Sequence, residues 1–175
     1  MSDYIDLCKR HNLPISKNGI GASGENIAKA ILEYFQTFRV VFLGEKFPVV
    51  DFYVEINDAE YSYPFMIQVK ATTSELTKRK HLHVAVPKDK YLQLHKKPIP
   101  TYVGGVHIDS ATLYITPTMT GKEKLSTIAP NCVLSLDDKE ANLDNVLQIK
   151  NDVMAYWDSL DAKNKKAAYK SLLTV

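Results

Sequence analysis

The sequence predicts an α+β fold in which a mixed β-sheet is flanked by helices, and three patterns support this prediction. Apolar residues recur at intervals of three and four from Ile27 to Phe38, which is typical of a helix with one buried face. Apolar, strand-like runs follow at 39–43, 49–56 and 65–71, and their short connections favour an antiparallel meander. A second helical periodicity runs from Val146 to Leu160. The order of helix, strands, helix, strands and helix corresponds to α+β, or to α/β if the sheet order is parallel.

The length and composition fit one globular domain. The chain has 175 residues, of which 45% are hydrophobic and 24% charged, so we expect a single domain at 1–175 with a C-terminal helical extension at 140–175. Seven Gly and eight Pro are too few for a collagen-like or low-complexity chain. No apolar run reaches ~18 residues and the N-terminus is charged, so we expect no membrane segment and no signal peptide. Cys8 and Cys132 lack metal-site spacing, which favours a reduced, cytoplasmic protein.

Caps, breakers and periodicity predict the individual elements in chain order. Ser2 begins a short helix that ends near His11. The Gly-rich stretch Ser16–Gly24 predicts a loop, and Ser23 predicts the N-cap of the following helix. Pro87 fits the first turn of a helix that continues to about Lys96. The other predicted elements are the strands His81–Val86, Tyr102–Ile108, Ala111–Thr116 and Cys132–Leu136, a loop between 117 and 130, and a helix Asp144–Leu173 that breaks or bends at Asp161.

The charge is unevenly distributed along the chain. The net charge is only +2, yet the segment Lys78–Lys97 holds seven basic residues against the single acid Asp89, which gives +6 there and −4 elsewhere. Such asymmetry is found at nucleic-acid-binding faces and also at solvated lysine-rich surfaces. Charge alone favours the solvated surface.

The strongest candidate for a site is a set of polar side chains inside apolar strands. Asp51 interrupts one apolar, aromatic strand, and Gln68 and Lys70 interrupt another. The two-residue period of a strand places Gln68 and Lys70 on the same face, and a short hairpin would bring Asp51 beside them. Charged groups in apolar strands are costly unless they are paired or bind an ion. On spacing alone, an ion pair between Asp51 and Lys70, or side chains on a wet sheet face, is the favoured explanation of the pattern.

Asp51, followed after a hairpin by Gln68-Val69-Lys70, resembles the signature of PD-(D/E)XK nucleases in its Gln variant. Glu25 on the preceding helix matches the acidic residue that many of these enzymes carry on the first core helix. The element order over about residues 20–116 is similar to the αβββαβ, restriction-endonuclease-like core of that superfamily. The segments 86–92, 97–103 and 111–115 resemble a bacterial nuclease-like domain family of unknown function.

The resemblance implies a hydrolase that cleaves DNA phosphodiester bonds with Mg²⁺ or Mn²⁺, as an endo- or exodeoxyribonuclease. It implies a catalytic set of Glu25, Asp51, Gln68 and Lys70. The metal ligands would be Asp51, the Gln68 amide oxygen, the Val69 carbonyl and Glu25, which are the oxygen ligands that Mg²⁺ prefers. Lys70 would orient water or stabilise charge on the phosphorus centre.

The resemblance also changes the interpretation of the basic segment, because in the resembled fold this region lies beside the active-site cleft. A homodimer is a further implication, since many enzymes of the superfamily are dimers. The residues expected to contact DNA phosphates are Lys78, Arg79, Lys80, Lys88 and Lys90.

Two other functions stay open at this point. Gln68 replaces an acidic residue and removes one negative charge from the metal site, so the chain could be a non-catalytic nucleic-acid-binding module of the same fold. Alternatively, the C-terminal helices around Trp157 could dock a protein partner in a DNA-processing or defence complex.

Overall fold

The computed structural model describes residues 17–44, 47–57, 62–118, 124–137 and 139–168. The predicted helix Ser2–His11 and Cys8 lie outside these ranges. Three helices and eight strands are described. They are α1 (Lys17–Tyr34), β1 (Phe38–Phe42), β2 (Phe52–Asn57), β3 (Ser62–Thr72), β4 (Leu82–Val86), α2 (Lys88–His95), β5 (Thr101–His107), β6 (Thr112–Pro117), β7 (Leu125–Ile128), β8 (Val133–Ser135) and α3 (Lys139–Ala168).

The main sheet has six strands in the order β1-β2-β3-β5-β6-β8. All neighbours are antiparallel except β3 and β5, which run parallel because the chain crosses over through β4 and α2. A mixed sheet with flanking helices confirms the predicted α+β class. The three-strand meander is also present, because β1, β2 and β3 are joined in sequence as antiparallel neighbours.

A second, two-stranded sheet was not predicted. β4 pairs with β7 and not with the main sheet, with Leu82 opposite Ile128 and Val86 opposite Leu125. The prediction of a loop over 117–130 is therefore wrong for Leu125–Ile128. This strand is only four residues long, and the nearby Gly121 and Pro130 concealed its two buried residues. Its stability comes from pairing with a strand distant in sequence, which local patterns do not report.

Helix α1 begins earlier than predicted. It starts at Lys17, so the expected loop Ser16–Gly24 is helical from that residue onward, and Ser23 is a buried residue within the helix and not its N-cap. Glycine is a poor helix former, but burial of an apolar face outweighs this cost. That face consists of Ile27, Ala28, Ile31 and Leu32.

Two hydrophobic cores lie on the two faces of the main sheet. On the first face, α1 and α3 cover residues such as Phe65, Ile67 and Val69, and α3 contributes Val146, Ile149 and Val153. On the second face, α2 and the small sheet pack over the sheet. The second core consists of Val50, Leu82, Val84, Val86, Tyr91, Leu94, Val103, Tyr114, Leu125 and Ile128.

The C-terminal helix is continuous and belongs to the fold. α3 runs from Lys139 to Ala168, so the predicted break at Asp161 is absent. Trp157 packs against the first core, and its indole N–H donates to the Pro64 carbonyl at 2.9 Å. The Trp157 side chain is therefore partly buried in the fold, and docking of a protein partner by the C-terminal helices stays a prediction. Within the described ranges, no helix has the length and apolar character needed to cross a bilayer.

Candidate functional site

The site forms where β2 leaves the main sheet. β3 pairs with β2 only from Ser62 to Ile67, whereas it pairs with β5 from Met66 to Thr72. The end of β3 beyond Ile67 therefore has an open edge on the β2 side. Backbone groups on such an edge need other partners.

Asp51 occupies this open edge and is held by three hydrogen bonds. Its N–H donates to the Ile67 carbonyl at 3.0 Å, and its carbonyl accepts from the Leu43 N–H at 2.9 Å. Its carboxylate oxygen Oδ2 accepts from the Val69 N–H at 2.6 Å. The carboxylate thus satisfies a donor that the missing strand would have satisfied. Extending the β2–β3 register by one position places Asp51 opposite Gln68.

The chain bends at Asp51. Val50 is buried in the second core and Phe52 in the first, although residues two apart on a regular strand share a face. Immediately before this bend, Val49 has φ of 71°, a conformation that β-branched residues rarely adopt. Burial of Val50 and Phe52 on opposite faces holds the bend.

Gln68 and Lys70 emerge on the second face of β3, because Ile67 and Val69 are buried on the first. The Gln68 side chain is only 5% exposed. Its amide oxygen Oε1 is buried and, among the described residues, has no hydrogen-bond partner. Leaving such an atom unpaired costs about 1–3 kcal/mol.

Glu25, which is on α1, approaches the same end of β3 from the first face of the sheet. The helix can lie this close because Gly24 has no side chain, and a Cβ there would collide with the Cβ of Ala71 on β3. Ala71 directly follows Lys70. The contact of Gly24 with Ala71 therefore sets Glu25 beside the end of β3.

One open cleft of about 920 Å³ contains all four side chains of the predicted catalytic set. Val69, whose carbonyl is the fourth predicted metal ligand, does not line it; its side chain is in the first core and its N–H donates to Asp51. The cleft is lined by Gly21, Ala22, Glu25, Phe42, Gly44, Phe47, Pro48, Val49, Asp51, Gln68, Lys70, Pro87 and Lys90.

Burial raises the pKa of Asp51 above its ordinary value of 3.8. The Val69 N–H and the charge of Lys70 act in the opposite direction but do not cancel the desolvation. Asp51 and Lys70 form no direct ion pair within the described residues. The structure therefore lacks the Asp51–Lys70 ion pair that could have explained these polar residues without a functional site.

The oxygen atoms in the cleft fit a hard divalent cation. Asp51 and Glu25 bring carboxylates, and the Gln68 amide oxygen is buried without a donor from the described residues. Mg²⁺ and Mn²⁺ accept carboxylate and amide oxygens together with water. No group of three or more His, Cys, Asp and Glu residues suited to a metal occurs in the described part of the chain.

The five basic residues expected to contact DNA do not all lie at the cleft. Lys90 lines it, and Lys88 is exposed on the same helix, α2. Lys78, Arg79 and Lys80 are exposed in the segment before β4 and are not part of the cleft lining.

Two aromatic residues that line the cleft were not predicted from the sequence. Phe42 is 50% exposed and Phe47 is 46% exposed, and both line the cleft. The pattern of β1 predicts an inward-facing Phe42, since Phe38 and Val40 before it are buried. Its exposure follows from the ending of β1 at the cleft, which depends on tertiary structure.

Comparisons with known proteins do not assign the chain to a family. No protein-family model matches it, and no curated protein or solved structure is similar to it at a significant level.

Proposed function

We propose that this protein is a metal-dependent nuclease that hydrolyses DNA phosphodiester bonds. The observation that carries the proposal is the buried Gln68 oxygen, which has no donor among the described residues and lies in the same cleft as the carboxylates of Asp51 and Glu25 and the ammonium of Lys70. A bound cation would satisfy that oxygen and offset the desolvation of Asp51. The order α1, β1–β3, β4, α2 and a β5 parallel to β3 also supports the proposal, because apart from β4 it follows the αβββαβ core that the PD-(D/E)XK resemblance implies.

Each residue has a distinct role in this proposal. Asp51, Gln68 and Glu25 would hold Mg²⁺ or Mn²⁺, which when bound would neutralise the scissile phosphate and lower the pKa of a water. Lys70 would orient the attacking water and stabilise the negative charge that develops on the phosphate oxygens. Lys90 would bind a flanking phosphate across the cleft.

The test is cleavage of plasmid and end-labelled oligonucleotides with EDTA, Mg²⁺ or Mn²⁺. We expect metal-dependent cleavage that falls by about 10²–10⁴ in Lys70→Ala and to a similar extent in Asp51→Asn. Lys150→Ala is the control, because Lys150 lies on α3, of which no described residue lines the cleft, and this variant should cleave normally. Equal cleavage by the wild type and both cleft variants would refute the proposal.

A non-catalytic nucleic-acid-binding module is the second candidate. It is favoured by the small number of carboxylates, since only Asp51 and Glu25 line the cleft within the described residues. This candidate predicts salt-dependent DNA binding without cleavage in either metal.

A further inference from the structure

We propose that the DNA held in the cleft is single-stranded, and that Phe42 and Phe47 stack on its unpaired bases. This inference rests on the proposed function and names the substrate class of that site. The two phenylalanines are called the aromatic wall.

The aromatic wall is tied to Asp51 through the backbone. Phe42 is opposite Phe52 in the β1–β2 register, one position from Asp51. The next residue, Leu43, donates its N–H to the Asp51 carbonyl. A base on Phe42 would therefore belong to a nucleotide close to the reacting phosphate.

Phe42 is supported on one side and exposed on the other. Its ring packs on Phe52 with centroids 5.5 Å apart and the ring planes at 53°. Half of the side chain remains exposed, whereas Phe38 and Val40, which precede it on the same face of β1, are buried. Full burial of a phenylalanine is worth about 1.5–3 kcal/mol, so folding alone gives no reason for this exposure.

A backbone hydrogen bond holds Phe47 close to Gly44, and both residues line the cleft. Gly44 has φ of 65°, a conformation that suits glycine, and its carbonyl accepts from the Phe47 N–H at 3.3 Å. Both exposed rings thus line one cleft although four residues separate them in sequence.

The aromatic wall continues into a second hollow that contains a lysine beside Glu25. A side pocket of about 290 Å³ shares Phe42, Ala22 and Glu25 with the cleft. It adds Asn26 and Lys29 from α1. The Lys29 ammonium is 3.7 Å from Glu33, but this pair is exposed and such pairs are weak, so a phosphate can compete for the lysine.

Two connected hollows that contain lysines and exposed aromatic rings suit an unpaired strand. Lys29 lies in the side pocket, and Lys70 and Lys90 lie in the cleft. Single-stranded DNA is bound by a positive groove with aromatic stacking platforms, because each unpaired base offers a free face. In duplex DNA those faces are covered by neighbouring bases.

The test measures binding in EDTA, so that cleavage does not interfere. Fluorescence anisotropy would compare a labelled oligothymidylate with a hairpin duplex of equal phosphate number. We expect tighter binding of the single strand, and a loss of about 5- to 100-fold in Phe42→Leu for the single strand only. Leucine keeps the apolar volume and removes the ring, whereas Phe42→Trp should keep the affinity.

Val41→Ala is the matched control, because Val41 is 42% exposed on the same strand but does not line the cleft. Thermal melting would establish that each variant folds. An unchanged single-strand affinity in Phe42→Leu, or an equal loss for the duplex, would overturn the inference. Even if Phe42→Leu bound the single strand normally, metal-dependent cleavage that is lost in Asp51→Asn would still support the nuclease. Failure of the single-strand inference can therefore be told apart from failure of the proposed function.

Discussion

Gln68 determines the charge of the candidate metal site. Among the described residues its neutral amide leaves two carboxylates in the cleft, so a divalent cation would be held by fewer negative charges than with an acid at this position. The same neutrality stabilises the metal-free protein, because a buried carboxylate at position 68 would add desolvation and repulsion with Asp51.

Gln68→Glu should therefore have opposite effects with and without metal. We expect the variant to melt at a lower temperature than the wild type in EDTA, and to bind Mn²⁺ about tenfold more tightly, by about 1.4 kcal/mol. Calorimetric titration and thermal melting would measure both effects. Gln93→Glu, the same change at an exposed position on α2, should produce neither. Tighter Mn²⁺ binding that also appears in Asp51→Asn/Gln68→Glu would contradict the assignment of Asp51 as a ligand.

Asp51→Asn should stabilise the metal-free protein at neutral pH. Because the folded-state pKa of Asp51 is raised above 3.8, the folded state favours the protonated form. The contribution of Asp51 to stability is thus present below pH 3.8 and lost as the pH rises through the higher folded value. Asparagine does not ionise, and its Oδ1 can still accept from Val69.

The measurement is the melting temperature of both proteins in EDTA from pH 4 to 8. The advantage of Asp51→Asn should grow toward neutral pH and then stay level above the folded pKa. If Asp51→Asn were less stable than the wild type at neutral pH, the ionised carboxylate of Asp51 would be favourably solvated in the folded protein. That result would contradict the raised pKa.

Helix α1 positions an acidic residue by means of a glycine contact. Gly24 allows the backbone of α1 to approach Ala71, and Glu25 is brought to the cleft as a result. The sequence predicted the helix from its apolar periodicity but misplaced its start, because three glycines near the N-terminus resemble a loop. Local propensity could not report that one of these glycines is needed for packing.

Gly24→Ala should destabilise the protein by about 1–3 kcal/mol, because the added Cβ forces the helix away from β3. Gly21→Ala on the same helix is the control. A Cβ at Gly21 has no neighbour within 4 Å, so this change should stabilise by about 0.5–1 kcal/mol through helix propensity. Chemical denaturation would give both values, and similar stabilities for the two variants would exclude the close contact.

The distribution of charge over the whole molecule was only partly predictable. The +6 segment Lys78–Lys97 is continuous in sequence, but the fold separates it. Lys90 lines the cleft through α2, while Lys78, Arg79 and Lys80 are exposed before β4. The positions of Asp51, Gln68 and Lys70 followed from strand periodicity and a hairpin. The bend at Asp51, the second sheet and the aromatic wall depend on contacts between distant segments.

Lys90→Ala should weaken DNA binding and flatten its salt dependence. Removing one phosphate contact lowers the slope of log K against log salt by about 0.7–0.9. Anisotropy titrations at several salt concentrations would measure the slope, with Lys150→Ala on α3 as a control outside the cleft lining. An unchanged slope in Lys90→Ala would remove this lysine from the binding surface.

The bend at Asp51 connects the site to the folding of the entire chain. Val50 and Phe52, which flank Asp51 in sequence, are buried in opposite cores. Loosening either core would therefore release the Asp51 carboxylate. The Val69 amide, whose proton contacts that carboxylate, should consequently exchange with deuterium only when the protein unfolds globally. The cleft would then persist for as long as the native state does, because no local unfolding of lower free energy would disassemble it.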